Sequence, residues 1–567
     1  MKKRLICMIF CLVMALSALA GCSSSGSSSI VLVDTPMTLT IYAITDEKTT
    51  EAGIQQAQDA INAITEYDFA THIVLKLFTA DEYVDKLQDD LVIARRRFDA
   101  SDVPAVTEKA ETAPADTGES EGDEDGEITT EERVYVERDA VVYPEAEDGQ
   151  VDILLINSID LFNDLVNNDD IQPLDVELAD SAKLISKFVN PIMLNACKGP
   201  SGQIYAVPNN RAVGQYEYLL LRRDLMDSYY YDKDDIHSLL QLQEYIEDVQ
   251  KINPEVTPLL DTYGVTPLAV SMVEGEDSLY GAYVGYNAQA NTNAMPRVLT
   301  TVSRYRNELS FLYGLKKSGA LVSGEMPEDP DAAAIFVKGD STIPEKYADK
   351  YYVNVYRYPT MTSENVFNSL YAVSTYSKSL RRSMAIINYL MTNYDLRNAF
   401  QYGDRDTNYT IDKNDFVTIL NDEYVMDPIY TGNMFLLYQN DRMTEEELAF
   451  SADNWKLAKE QMVDAVASSY FGFSGATTEV NYPDPSGMSR SEIPAPKMME
   501  EIAKLSREYM NKINSFTGTT DEFVEFLKQI GDEMSKDQYV KAASNSRYTN
   551  APYAKYVEWY KQRFSES

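Results

Sequence analysis

The sequence predicts an α/β protein of two lobes joined by crossing strands, with a helical C-terminal region. Three observations predict it. Strand-like alternation and helical spacing succeed each other as β-α-β-α from Thr38 to Phe98, the mark of a parallel sheet covered by helices. Val151 to Ile156 is a continuous apolar run, as in a strand buried on both faces. An apolar strand leaves at Gly214–Leu221 and another returns at Asn368–Ser374, so two bodies share two crossing segments, the layout of a hinge.

Taken in order, residues 1–21 read as a secretory leader. Lys2, Lys3 and Arg4 precede an apolar run from Leu5 to Leu19 that is short for a membrane span. Residues 22–31, rich in Ser and Gly, read as a flexible tether. Residues 32–213 hold the first part of one lobe: strands at Thr38–Thr45 and Ile73–Phe78, and helices at Thr49–Ile64 and Asp81–Phe98. Residues 101–130 interrupt it with Pro, Ala, Thr, Gly and acids, too poor in apolar residues to offset the entropy of ordering, and read as a disordered insertion. Arg133–Val142 recovers some strand character. Asn157-Ser158 follows the buried strand and opens a helix at Ile159–Asn167. Residues 214–367 form the second lobe, with helices near Ile236–Ile252 and Leu299–Leu315 and short strands at Ile335–Val337 and Tyr352–Tyr356. Residues 368–425 return to the first lobe through a helix at Ser377–Met391. Residues 426–567 are largely helical and are expected to pack on the second lobe and the hinge.

Composition narrows the chemistry. A formal net charge of −40 repels phosphate backbones, which argues against a nucleic-acid partner. The only histidines, His72 and His237, exclude the common multi-histidine zinc sites. Asp404, Asp406, Asn408, Asp412 and Asp415 have partial calcium-loop spacing. Tyr409 stands where the turn needs Gly, however, and the closing Glu is missing, so neither a metal nor a cofactor is expected. Cys7 and Cys11 leave with the leader, and Cys197 has no disulfide partner in the mature body. Forty tyrosines against two tryptophans supply flat apolar faces carrying a hydroxyl, which suit polyhydroxylated ligands.

Leu19-Ala20-Gly21-Cys22 resembles the bacterial lipobox, in which the cysteine sulfur takes a diacylglycerol before cleavage. That resemblance implies a body anchored by lipid at Cys22 to the outer face of the cytoplasmic membrane. Further motifs are spread through the chain: VDILLINSID at 151–160, IQPLD at 171–175, GQIYAVPNN at 202–210 and YEYLLLRRDL at 216–225. SLYAVS at 369–374, RNAFQYGDRDTNY at 397–409, MDPIYTGN at 426–433 and FGF at 471–473 complete them. In order and spacing they resemble the family 1 extracellular solute-binding proteins, the substrate receptors of bacterial ABC importers, in their long Gram-positive clostridial form. The resemblance implies a type II periplasmic-binding-protein-like fold of the maltose-binding-protein kind. It further implies a monomer, an ABC permease as partner, and a small polar solute, an oligosaccharide, as ligand. The acidic insertion departs from the family pattern, and so does Asp404-Arg405-Asp406, where Ile-Glu-Gly is usual.

Ligands of open α/β sheets bind outside the carboxyl ends of strands. With the resemblance, this points to Tyr42, Thr45 and Asp46 after the first strand and to Asn157 and Ser158 after the buried one. It also points to Tyr205, Asn209, Asn210 and Arg211 around the outgoing crossing. Tyr218, with Tyr216 beside it, and Tyr371 are expected on the hinge side, and Arg405 is a further candidate. Each also has a structural reading: packed hinge tyrosines for Tyr218 and Tyr371, a local ion pair for Arg405. No catalytic residue is expected. The rivals are a secreted glycoside hydrolase, which needs two carboxylates about 5–9 Å apart across a cleft, and a receptor serving a membrane sensor. No Gly-x-Ser-x-Gly or His-Glu-x-x-His motif supports the former.

Overall fold

A computed structural model describes residues 35–100, 141–267, 283–284, 297–440, 442, 455–467, 471–472, 481–483 and 492–543. The leader, Cys22, the tether and the acidic insertion 101–130 lie outside the described residues, as does 133–140 of the expected strand Arg133–Val142. The chain divides at residue 35, and the described elements lie in the unit Pro36–Ser567.

The first sheet is built as its apolar pattern dictates. Strand β1 (Met37–Ile44) is buried along almost its whole length because it has a neighbour on each side. Helix α1 (Glu51–Phe69) starts at Thr50, whose side chain accepts the Gly53 N–H, and stops at Ala70 in a left-handed conformation. Strand β2 (Thr71–Phe78) alternates buried and half-buried residues, as an edge strand with one covered face does. Helix α2 (Ala80–Ala100) buries Tyr83, Leu87, Leu91 and Ala94, one face at helical spacing. Strand β3 (Ile153–Ile156) pairs parallel to β1, and helix α3 (Ile159–Asn167) follows it. Strand β4 (Val207–Pro208) forms the far edge.

The chain then crosses to the second sheet. Strand β5 (Tyr216–Arg222) carries alternating faces into two cores. Leu219 and Leu221 pack with Tyr245, Ile246 and Val249 of helix α4 (Gln243–Ile252), while Tyr216, Tyr218 and Leu220 pack with Ile335, Ile343 and Tyr351. Strand β6 (Thr257–Asp261), helix α5 (Ser303–Ser318), strand β7 (Leu321–Ser323), strand β8 (Ala332–Gly339) and strand β9 (Tyr351–Arg357) complete this body in the order β9-β5-β8-β6-β7. The helix expected from Ile236 starts only at Gln243; a short turn at Lys233–Asp235, capped by Asp232, precedes it.

The return is strand β10 (Leu370–Val373), antiparallel to both β3 and β4, which closes the first sheet as β2-β1-β3-β10-β4. Helices α6 (Leu380–Thr392) and α7 (Tyr394–Tyr402) follow. Residues 426–440 pack on α7 of the first body, unlike the placement expected for the C-terminal region. The fully buried Arg397 donates to the Asn433 carbonyl (3.1 Å), and Gln401 donates to the Met426 carbonyl (2.6 Å). Further along, helix α8 (Trp455–Asp464) reaches the crossing segments, and helix α9 (Thr520–Met534) packs on α5, where Phe523 stacks on Tyr313 at 4.3 Å. The Asp404–Asp415 stretch folds as a hairpin, Tyr409–Ile411 against Val417–Ile419, not as a helix-flanked calcium loop.

Candidate functional site

Register fixes which residues share an edge. Ile44 and Ile156 end the parallel strands β1 and β3, and Leu370 opens β10 opposite Ile156 on one side and Pro208 of β4 on the other. Thr45, Asp46, Asn157, Ser158, Asn209 and Ser369 therefore gather along one edge of the first sheet. In the second sheet Gly339 lies opposite Tyr216, and Glu217 lies opposite both Lys338 and Arg357. The segments 209–215 and 358–369 join these two edges.

On the first edge, Asp46 is exposed and its carboxylate accepts the Lys48 N–H (2.9 Å). Asn157 is half-buried with no side-chain hydrogen bond among the described residues. The Ser158 hydroxyl accepts the Leu161 N–H (3.1 Å) and caps α3, so its oxygen is partly used. Tyr205 is not on this edge: the pairing of Pro208 with Leu370 and of Val207 with Tyr371 puts it level with Val373, at the opposite end of the sheet, where its half-buried ring rests on Gly199 and its hydroxyl is 3.1 Å from Ser201 Oγ. Asn209 is buried and donates to Ser369 Oγ (2.6 Å) and the Ile429 carbonyl (2.9 Å), while its Oδ1 has no donor. Asn210 donates to Asn433 Oδ1 (3.1 Å), and its Oδ1 is likewise without a donor. Arg211 binds across the crossing, donating to the Asn365 carbonyl (2.5 Å) and to the Asn368 side chain.

Three further tyrosines expected at the site are elsewhere. Tyr42 is two residues before the strand end, level with Leu154, so its ring is inside the core. Its hydroxyl donates to the Asp90 carboxylate (2.7 Å), and burial first, then Asp90, pushes its pKa well up. Tyr371 is fully buried and donates to the Tyr430 carbonyl. Tyr218 is buried, stacks on Tyr216 at 5.3 Å and donates to the Asp340 carbonyl (3.0 Å). Each has an internal partner and little or no surface left for a solute. Arg405 is exposed on the hairpin, which Asn408 ties to Gln56 of α1 (2.8 Å), and it makes no ion pair with Asp404 or Asp406.

The second edge carries residues that the strand-end rule on the first body passes over. Glu217 accepts from Tyr263 (2.9 Å) and pairs with Arg357 (3.2 Å) and Lys338 (3.4 Å). Burial, then Glu217, raises the Tyr263 phenol and keeps it a donor. Arg357 also donates to the Thr266 and Pro267 carbonyls (2.6 Å each). The sequence signal was present, an acid between the tyrosines of an otherwise apolar strand, Tyr216-Glu217-Tyr218. Its partners, from three other chain segments, gave none. This edge can hold charge in place and can present donors and acceptors to a polar solute. Among the described residues no group of three potential metal ligands forms.

No family model matches the chain. A protein of Streptococcus pneumoniae serotype 4 named "carbohydrate ABC transporter substrate-binding protein" is 23% identical over 378 residues, 60% of this chain and 70% of that relative. The crystal structure of the N-glycan transport solute binding protein NgtS from Streptococcus pneumoniae aligns with 92% of this chain and 99% of its own, at 15% identity and a TM-score of 0.52. An extracellular solute-binding protein from Bifidobacterium longum subsp. infantis covers 94% of this chain and 99% of its own, at 13% identity and a TM-score of 0.45. The fold is that of the extracellular solute-binding proteins, the family that the sequence motifs resemble.

Proposed function

We infer that this chain is a non-catalytic extracellular receptor that closes its two bodies on an oligosaccharide and delivers it to an ABC permease. One observation carries the reading: two polar sheet edges face the same pair of crossing segments, 209–215 and 358–369. A solute touching both edges binds the closed arrangement better than the open one, and that difference drives closure. The carbohydrate name of the Streptococcus pneumoniae relative supports the ligand class. Asp46, Asn157 and Arg211 are the proposed contacts of the first edge. Asn209 and Asn210 set the crossing from beneath.

The anchor belongs to the same reading. Leu19-Ala20-Gly21-Cys22 supports lipidation of Cys22, which would tether the monomer outside the cytoplasmic membrane beside its permease. Two acyl chains hold stably where one binds only marginally.

Thermal unfolding with a panel of neutral oligosaccharides, combined with small-angle scattering, tests the function. A ligand at about 100 times its dissociation constant adds about 2.7 kcal/mol, and closure reduces the radius of gyration. A response to amino acids or peptides with every sugar silent would overturn the ligand class. Shortened sugars after incubation would replace the receptor by a hydrolase.

A further inference from the structure

Tyr358 opens the returning crossing segment, directly after β9, and 51% of its surface is exposed. Its ring lies 6.2 Å from that of Tyr216, which in turn stacks on Tyr218 at 5.3 Å. Two buried tyrosines thus back an exposed one, at the junction between the second body and the crossing. A third segment of chain arrives here. Tyr216 donates its hydroxyl to Asp464 Oδ2 (2.6 Å) at the end of α8, and burial, then Asp464, raises the Tyr216 phenol, so the proton stays on the donor.

Asp464 is exposed, and no cation pairs with it among the described residues. An ionised carboxylate offers about four lone-pair sites, and the phenol uses one. One turn earlier on α8, Gln461 is fully buried. Its amide donates to the Gly214 carbonyl, but its Oε1 has no donor. A flat aromatic face and a carboxylate with spare acceptor sites therefore flank the same residue, Tyr216, while Gln461 holds α8 to the crossing. A pyranose ring offers the complement: an apolar C–H face and hydroxyl donors on its rim.

We propose that Tyr358 and Asp464 form a sugar subsite at the crossing between the bodies, Tyr358 stacking on one ring and Asp464 accepting from that ring's hydroxyls. The subsite rests on the oligosaccharide reading above. It gives α8 a part in recognition, since the carboxylate comes from neither sheet.

Titration calorimetry with maltotriose, kestose, lacto-N-tetraose and mannosylated N-acetylglucosamine identifies a sugar that the wild-type chain binds, and that sugar is then titrated into variants. Tyr358→Ala is expected to weaken binding about tenfold, and Tyr358→Phe to stay within about twofold, because the ring is kept. Asp464→Asn is expected to weaken it by about tenfold or more. Tyr216→Phe removes the positioning bond yet leaves the carboxylate, and is expected to fall between. The melting temperature of the ligand-free Tyr358 variants should not move, which separates recognition from folding. Unchanged affinity in Tyr358→Ala with intact wild-type binding overturns the subsite and leaves the receptor standing. Equal losses in Tyr358→Phe and Tyr358→Ala overturn stacking. Silence of every sugar toward the wild-type chain overturns both proposals.

Discussion

Gly214 and Thr360 touch across the two crossing segments: a Cβ on Gly214 would lie 2.8 Å from the Thr360 nitrogen and 3.0 Å from its carbonyl oxygen. Gly214 also has φ +70, where side chains other than hydrogen are strained. The crossing is therefore built on backbone-to-backbone approach. Gly214→Ala is expected to cost about 1–3 kcal/mol, measured by urea unfolding, and to lower sugar affinity by disturbing closure. A variant as stable as the parent would mean that the segments are not held together at this point.

Asp152 joins β3 to both flanking parts of the first body. Its carboxylate accepts from Thr40 N (2.9 Å), Gln150 Nε2 (2.7 Å), Ser377 Oγ (2.9 Å) and Lys378 N (2.7 Å). Asp152→Ala strips acceptors from these donors, each uncompensated buried group costing about 1–3 kcal/mol. Destabilisation of about 3 kcal/mol or more is expected, with Asp152→Asn losing less because it keeps one acceptor oxygen. Denaturant midpoints of the two variants check the order.

Alkaline pH should unfold the protein. Burial is the leading cause that raises the phenols of Tyr42, Tyr83, Tyr245, Tyr371 and Tyr424. An unfolded chain releases these protons near pH 10 while the folded one keeps them, so the unfolded state binds fewer protons and stability falls as pH rises past about 10. Arg397 works the other way. Burial lowers its guanidinium to about 10, so between there and its ordinary range the unfolded state binds more protons and stability gains. Five phenols outweigh one guanidinium. The part of the absorbance rise at 295 nm that belongs to the buried phenols should come in step with loss of helical circular dichroism, and complete phenolate formation with the dichroism intact would contradict the burial.

Cys22→Ala should release the protein into the medium or leave the leader uncut, read by fractionation and by the mass of the N-terminal peptide. Normal cleavage with the variant still bound to membrane would rule out lipid at this residue.

Much of the architecture was legible because local pattern and tertiary context agree. The helical spacing of Tyr83, Leu87 and Leu91 faces a core, and the apolar run Ile153–Ile156 is a strand with neighbours on both sides. Ser158 was legible as a strand-end residue, while its capping of the helix from Ile159 came from the structure. Tyr42 was misread because the strand-end rule concerns residues beyond the last ladder pair, and it sits within the ladder; Tyr218 and Tyr371 follow the packed reading that the sequence also allowed. Asp464 and Tyr358 come to share Tyr216 as a neighbour only through the long return of α8, an arrangement that no local pattern encodes.

The first body is assembled from pieces far apart in the chain. Thr45 donates to the Val425 carbonyl across 380 residues, and β3 has no partner on its outer side until Leu370–Val373 arrives. The second body's sheet, from Tyr216 to Arg357, is contiguous. A chain emerging from its amino end therefore completes its later sheet before its earlier one. In the interval, the apolar edge of Ile153–Ile156 is an open template for wrong pairing. In the exported receptor proposed above, that edge stays open until the final strand has crossed the membrane.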